Sequence, residues 1–190
     1  PAICLSNNTK KHIANSLWLY ISQAYSDPAM FMSGRDFNSF KMNIEKLSEY
    51  QMSHYPGDRF LLKIHPADNP LEYDLNLKLT KKANLFNLLK IAKIIFVEDT
   101  TLVVDVIAKG YPVVYILDSL GNDNIGLVDK GVIPGINLNQ NFIETLDSVL
   151  CGKFTVKPEM RISTLKYYND EYDSNNFLEQ LNGILFKNEE

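Results

Sequence analysis

Apolar and polar positions alternate along this chain in two registers, and the change between them marks its elements. Ile94-Ile95-Phe96-Val97 and Val113-Val114-Tyr115-Ile116 are unbroken apolar, mostly β-branched runs, the pattern of strands buried on both faces. Between them, residues 102 to 109 carry a helical pattern that stops at Gly110, a residue suited to a helix C-cap. Strand, helix and strand in that order make one βαβ unit. Further strands are expected at Ala2–Ser6, Arg59–Ile64 and, as a short edge strand, Ile136–Leu138. Helices are expected over Lys10–Ala24 (Ile13, Leu17, Tyr20, Ile21 and Ala24 on one face) and from an Asp36 cap through Phe37, Phe40, Ile44 and Leu47 to a stop at Pro56-Gly57. Two more follow from Leu85, Leu88, Leu89 and Ala92 and from Phe142, Leu146, Val149 and Leu150. Pro70–Leu79 is ambiguous: Tyr73, Leu75, Leu77 and Leu79 alternate as in a strand, yet the stretch also fits an extended approach to the next helix. Asp118–Gly135 reads as a long loop of the kind that often carries function.

Strands alternating with helices predict an α/β fold, a Rossmann-like doubly wound parallel sheet with helices on both faces. The expected division is a core over residues 1–152 and an extension over 153–190 whose terminal helix, bearing Phe177, Leu178, Leu181, Ile184 and Leu185, packs on it. The chain of 190 residues is 45% hydrophobic and 22% charged, with a formal net charge of −4. That charge disfavours nucleic-acid binding, which needs a clustered basic footprint. Cys4 and Cys151 are too few for a disulfide framework or a cysteine zinc site, and no His–carboxylate cluster has metal-ligand spacing, so no metal or cofactor is expected. A reducing, cytoplasmic setting fits. No apolar run approaches the roughly 20 residues of a spanning helix. The chain opens almost directly on an apolar run, as a lobe of a longer enzyme would.

Parallel sheets bind ligands outside the carboxyl ends of their strands, which draws attention to His65-Pro66 and to Thr100-Thr101. The threonines follow a buried strand and open a helix, where unpaired N–H groups and the helix dipole favour an anion; the plainer reading is a helix N-cap. Asp105, one turn on, is placed to accept hydrogen bonds from a ribose, or simply to complement the dipole. His65, held out of helical conformation by Pro66, is either a phosphate ligand or a structural histidine. Asp118 ends the next strand and either faces the same crevice or begins a turn. Gly110-Tyr111-Pro112 is architectural.

The ordered set Lys63-Ile64-His65-Pro66, Glu98-Asp99-Thr100-Thr101, Asp105 and Gly110-Tyr111-Pro112-Val113 resembles the donor-binding C-terminal lobe of GT-B-fold glycosyltransferases of bacterial capsule and surface-polysaccharide synthesis. Those families include the sialyl- and Kdo-transferases, which use CMP-sugars, and the teichoic-acid glycerophosphotransferases. The resemblance spans roughly Asp36 to Gly152. It differs in having threonines where serines are commoner and Asp105 where glutamate is frequent. It implies that His65 and Pro66 contact the donor phosphates, with His65 also able to protonate the leaving group, that Thr100 and Thr101 hold the nucleotide phosphate, and that Asp105 holds the ribose. The implied partners are a CMP- or CDP-linked donor and a glycan acceptor bound by an N-terminal lobe that this chain lacks, leaving this lobe alone inactive. Peripheral association of the parent protein with the inner face of the membrane is compatible with it. Competing readings are a CDP-glycerol or CDP-ribitol polyol-phosphotransferase lobe and a non-catalytic receiver-like or assembly module.

Overall fold

The computed structural model describes residues 16–25, 36–100, 102–140 and 142–153. Six strands form one sheet: β1 (Leu17–Ile21), β2 (Arg59–Lys63), β3 (Leu79–Thr80), β4 (Ala92–Val97), β5 (Val113–Ile116) and β6 (Gly135–Ile136). Every pairing is parallel, and the strands lie in the order β3-β2-β1-β4-β5-β6. Among the described residues four helices accompany them: α1 (Phe37–His54), α2 (Leu85–Ile91), α3 (Leu102–Ala108) and α4 (Ile143–Leu150).

Period-two alternation divides the apolar side chains between two cores. Trp18, Tyr20, Leu62, Phe96 and Val114 face α1 and α4, where they meet Phe40, Ile44, Leu47 and Leu146. Leu19, Ile21, Ile95, Val97 and Tyr115 face α2 and α3, meeting Leu89, Val103, Val106 and Ile107. The sheet is therefore covered on both faces, and the expected doubly wound Rossmann-like architecture is the one observed.

Local chemistry sets the element ends. Asp36 caps α1 by accepting from the Ser39 N–H at 2.9 Å and from its hydroxyl. At the other end the Gln51 amide donates to the carbonyls of Tyr55 and Asp58, which ties the helix exit to the start of β2. Gly110 closes α3 with a φ of 72°, a conformation that favours glycine. The βαβ unit read from the sequence is β4-α3-β5, with Ile95 level with Val113.

One expectation is overturned. Leu17–Ile21 is a strand at the middle of the sheet and not part of a helix over Lys10–Ala24. Five successive apolar residues, all buried, fit a strand covered on both faces; a one-sided helix would leave Trp18 and Leu19 outside its apolar stripe. Pro70–Leu79 resolves into a short 3-10 turn at Pro70–Glu72 and an irregular, bent lead into β3. The expected first strand and the terminal helix lie outside the described residues. Among the described residues no helix is long and apolar enough to cross a membrane.

Candidate functional site

From β1 the chain goes on to β2 and β3 on one side of the sheet; β4, on the other side of β1, leads to β5 and β6. The strand order thus reverses between β1 and β4, and the crevice outside the carboxyl ends of such a pair is where open α/β sheets take ligands.

His65 stands at the end of β2, next to β1. Its backbone N–H donates to the Ser22 hydroxyl at 3.1 Å, and the Ser22 N–H donates to the Lys63 carbonyl at 3.0 Å, so the β1 and β2 ends are stitched together just before the crevice. Tyr73 braces this junction from below: its hydroxyl lies 3.4 Å from that of Ser22 and donates to Asp68. Burial, then the Asp68 carboxylate, push the Tyr73 phenol well above its ordinary pKa, so it stays a proton donor. The Ala67 N–H donates to His65 Nδ1 at 3.2 Å. In the neutral ring the proton therefore sits on Nε2, and the side chain is half-buried. Pro66 is exposed in the turn that follows.

Thr100 follows β4. Its hydroxyl accepts from the Leu102 N–H at 3.3 Å and its carbonyl from the Val103 N–H at 3.1 Å, so it opens α3 as a cap residue. The hydroxyl hydrogen is not used in that cap bond. Thr101 lies outside the described residues. Asp105 sits on α3, exposed, one turn further on. The structure thus brings His65 and Thr100 to strand ends on either side of β1 and places Asp105 on the helix that Thr100 begins.

Glu98, Lys63 and Gln23 also stand at this edge and were given no role from the sequence, unlike Asp118. Glu98, only 1% exposed, receives the hydroxyls of Tyr20 at 2.6 Å and Tyr25 at 2.5 Å. It lines a shallow, open pocket with Tyr25, Asp36, Phe40, Asn43 and Asp118. Asp118 does face this crevice, and it also shapes the following turn, accepting from the N–H groups of Leu120 and Asn122. Lys63 is buried beside His65 with its ammonium on the carbonyl of Lys81 at 2.7 Å; burial, then the nearby Lys81 charge, lower its pKa. Gln23, just beyond β1, is 5% exposed, and neither its amide nitrogen nor its oxygen has a hydrogen-bond partner. A polar pair directly after five apolar residues was the available signal for Ser22-Gln23. Among the described residues no group of three His, Cys, Asp or Glu side chains could hold a metal ion.

The sheet order defines a Rossmann-like domain with a crevice at the carboxyl edge. No protein-family model matches the chain, and no curated protein matches it either. Among solved structures, it is similar to a beta Kdo 2,4 transferase, KpsC, of Thermosulfurimonas dismutans (16% identity over 58% of this chain and 36% of that one, TM-score 0.42). It is also similar to a protein of Listeria monocytogenes described as a UDP-N-acetylglucosamine 2-epimerase (16% identity, 85% of this chain and 46% of that one, TM-score 0.49). A third is the glycotransferase of kitacinnamycin (12% identity, 86% of this chain and 41% of that one, TM-score 0.44). The chain spans less than half the length of each, and likenesses of this degree assign neither substrate nor reaction.

Proposed function

We propose that this chain is the nucleotide-sugar-binding lobe of a glycosyltransferase acting in bacterial surface-polysaccharide synthesis, with a CMP-activated sugar such as sialic acid or Kdo as donor. The observation that carries the reading is the placement of His65 and Thr100 at the ends of β2 and β4, the two strands that flank β1, beside the point of strand reversal. Both present donors: the His65 Nε2–H and the Thr100 hydroxyl. Negative charge builds on the departing nucleotide phosphate as the glycosidic bond breaks, and fixed donors aimed at that phosphate stabilise it. His65 is also placed to pass a proton to the leaving group. Thr101 adds a second hydroxyl to the phosphate, Pro66 fixes the turn that presents His65, and the Asp105 carboxylate accepts from the ribose. The acceptor glycan and the base that activates it belong to a second lobe, so this lobe binds donor without turning it over alone. The parent enzyme works in the cytoplasm, where nucleotide-activated donors are made, or at the inner face of the membrane.

A receiver-like module fits less well. Receivers order their strands 2-1-3-4-5, whereas three strands lie on each side of the reversal here, and Asp105 is in a helix and not at a strand end.

Calorimetric titration of the chain with CMP, CDP, UDP and GDP tests the proposal, repeated on His65→Ala and Thr101→Ala. Binding of a cytidine nucleotide, weakened at least tenfold in both variants, is the expected result; one hydrogen bond to a charged phosphate is worth about 1.5–3 kcal/mol. CDP bound in strong preference to CMP would shift the donor to a polyol-phosphate type. Absence of binding by both this chain and its intact parent would overturn the transferase reading.

A further inference from the structure

The least explained polar group in the described part of the molecule is the Gln23 carboxamide. It is 5% exposed, and both its Nε2 and its Oε1 lack a hydrogen-bond partner. Buried amides are ordinarily satisfied, and one left without partners is a cost to the fold that a bound molecule relieves. Its position is not arbitrary. The β1–β2 register pairs Ile21 with Lys63, and the β1–β4 register pairs Ile21 with Val97. Gln23, His65 and Asp99, the neighbour of Thr100, each lie two residues beyond these paired positions, so all three leave the carboxyl ends of adjacent strands. Gln23 therefore comes off the central strand, between the two side chains proposed to hold the donor phosphate.

We infer that Gln23 is a donor-binding residue whose carboxamide spans the junction between the phosphate and the transferred sugar. This rests on the donor-lobe reading and extends it. A carboxamide offers two N–H donors and one carbonyl acceptor. A bare phosphate would satisfy only the N–H side and a bare sugar hydroxyl mainly the other. A glycosyl phosphate brings both, in adjacent positions: an anionic oxygen for Nε2 and a hydroxyl for Oε1. Glutamine also avoids the like-charge repulsion that a carboxylate at the same place would impose on the phosphate.

Gln23→Met and Gln23→Glu test this, each measured for thermal unfolding without nucleotide and for calorimetric binding of CMP, CDP, UDP, GDP and CMP-N-acetylneuraminic acid. Methionine keeps length and removes both polar atoms, so the ligand-free variant should melt no lower than wild type. Its affinity for whichever of these compounds wild type binds should fall about tenfold or more. Gln23→Glu should bind the same compound more weakly than Gln23→Met, because it adds repulsion where methionine only removes a contact. Equal binding by Gln23→Met and wild type would overturn the inference while leaving the donor-lobe reading standing; that is also the result if only ordered water meets the carboxamide. A ligand-free melting point several degrees lower in Gln23→Met would overturn it too, by giving Gln23 a structural role. Binding retained in Gln23→Glu would remove the phosphate contact. No binding of any of the five compounds by wild type, in this chain and in its intact parent, would instead defeat the donor-lobe reading itself.

Discussion

At the edge of the sheet opposite the crevice, Asp58 joins three neighbouring strands through one carboxylate. It accepts from the Trp18 indole of β1 at 3.0 Å and pairs with the Lys93 ammonium of β4 at 2.9 Å, while its own backbone leads into β2. The carboxylate side chain is 2% exposed, Trp18 is wholly buried, and Lys93 is 26% exposed. These unequal exposures decide what each substitution costs. In Asp58→Ala the indole N–H is stranded without water, and losing a hydrogen bond to a charged acceptor while leaving a buried donor unpaired costs about 3 kcal/mol. Lys93, already 26% exposed, is solvated at little expense where it stands, over the Tyr55 ring at 4.3 Å from the centroid. In Asp58→Asn the amide oxygen still serves the indole, and only a partly solvated ion pair is lost, about 1 kcal/mol. For a chain of this size the melting point should fall by about 6–12 °C in the alanine variant and about 2–4 °C in the asparagine variant. Circular dichroism melts and guanidinium titrations measure both, and the nucleotide binding proposed above should be unchanged well below the transition, because the perturbation lies at the opposite edge. Equal losses in the two variants would refute the reasoning by showing that the ion pair, and not the indole bond, carries the energy.

Two further outcomes follow from local geometry. Asp36→Ala removes the α1 cap and should cost about 1 kcal/mol at neutral pH. The Ser39 hydroxyl, then the Ser39 N–H, lower the folded Asp36 pKa, so the wild-type advantage is full above the unfolded value near 3.9 and is lost as pH falls through the lower folded value; denaturant midpoints of both proteins from pH 7 to pH 2 should converge at the acid end, and a constant gap would contradict the cap. Gly135 lies against Val128, and a Cβ there would come within 2.7 Å of Val128 Cγ1; Gly135→Ala should therefore lose about 1–3 kcal/mol, and adding Val128→Ala should restore most of it in the same melting assay.

What could be read from the chain divides by the distance over which the information is held. Asp36, Gly110 and the paired apolar runs of β4 and β5 state their structural roles within a few residues, and so does the place of His65 at a strand end, because the proline beside it forbids helix. The Glu98 site depends on Tyr20, 78 positions away, and exists only once β1 is laid beside β4. No local pattern encodes that register. The misreading of β1 had a specific cause: a fully buried strand lacks the alternation that marks a half-exposed one, and Leu17, Tyr20, Ile21 and Ala24 happen to match helical spacing. It also had a specific consequence. A helix running to Ala24 makes Gln23 an ordinary position on a helix, whereas a central strand ending at Ile21 delivers it to the crevice where strand order reverses. The same five apolar residues thus hid the middle of the sheet and the least satisfied polar group at its edge, and correcting the one exposes the other.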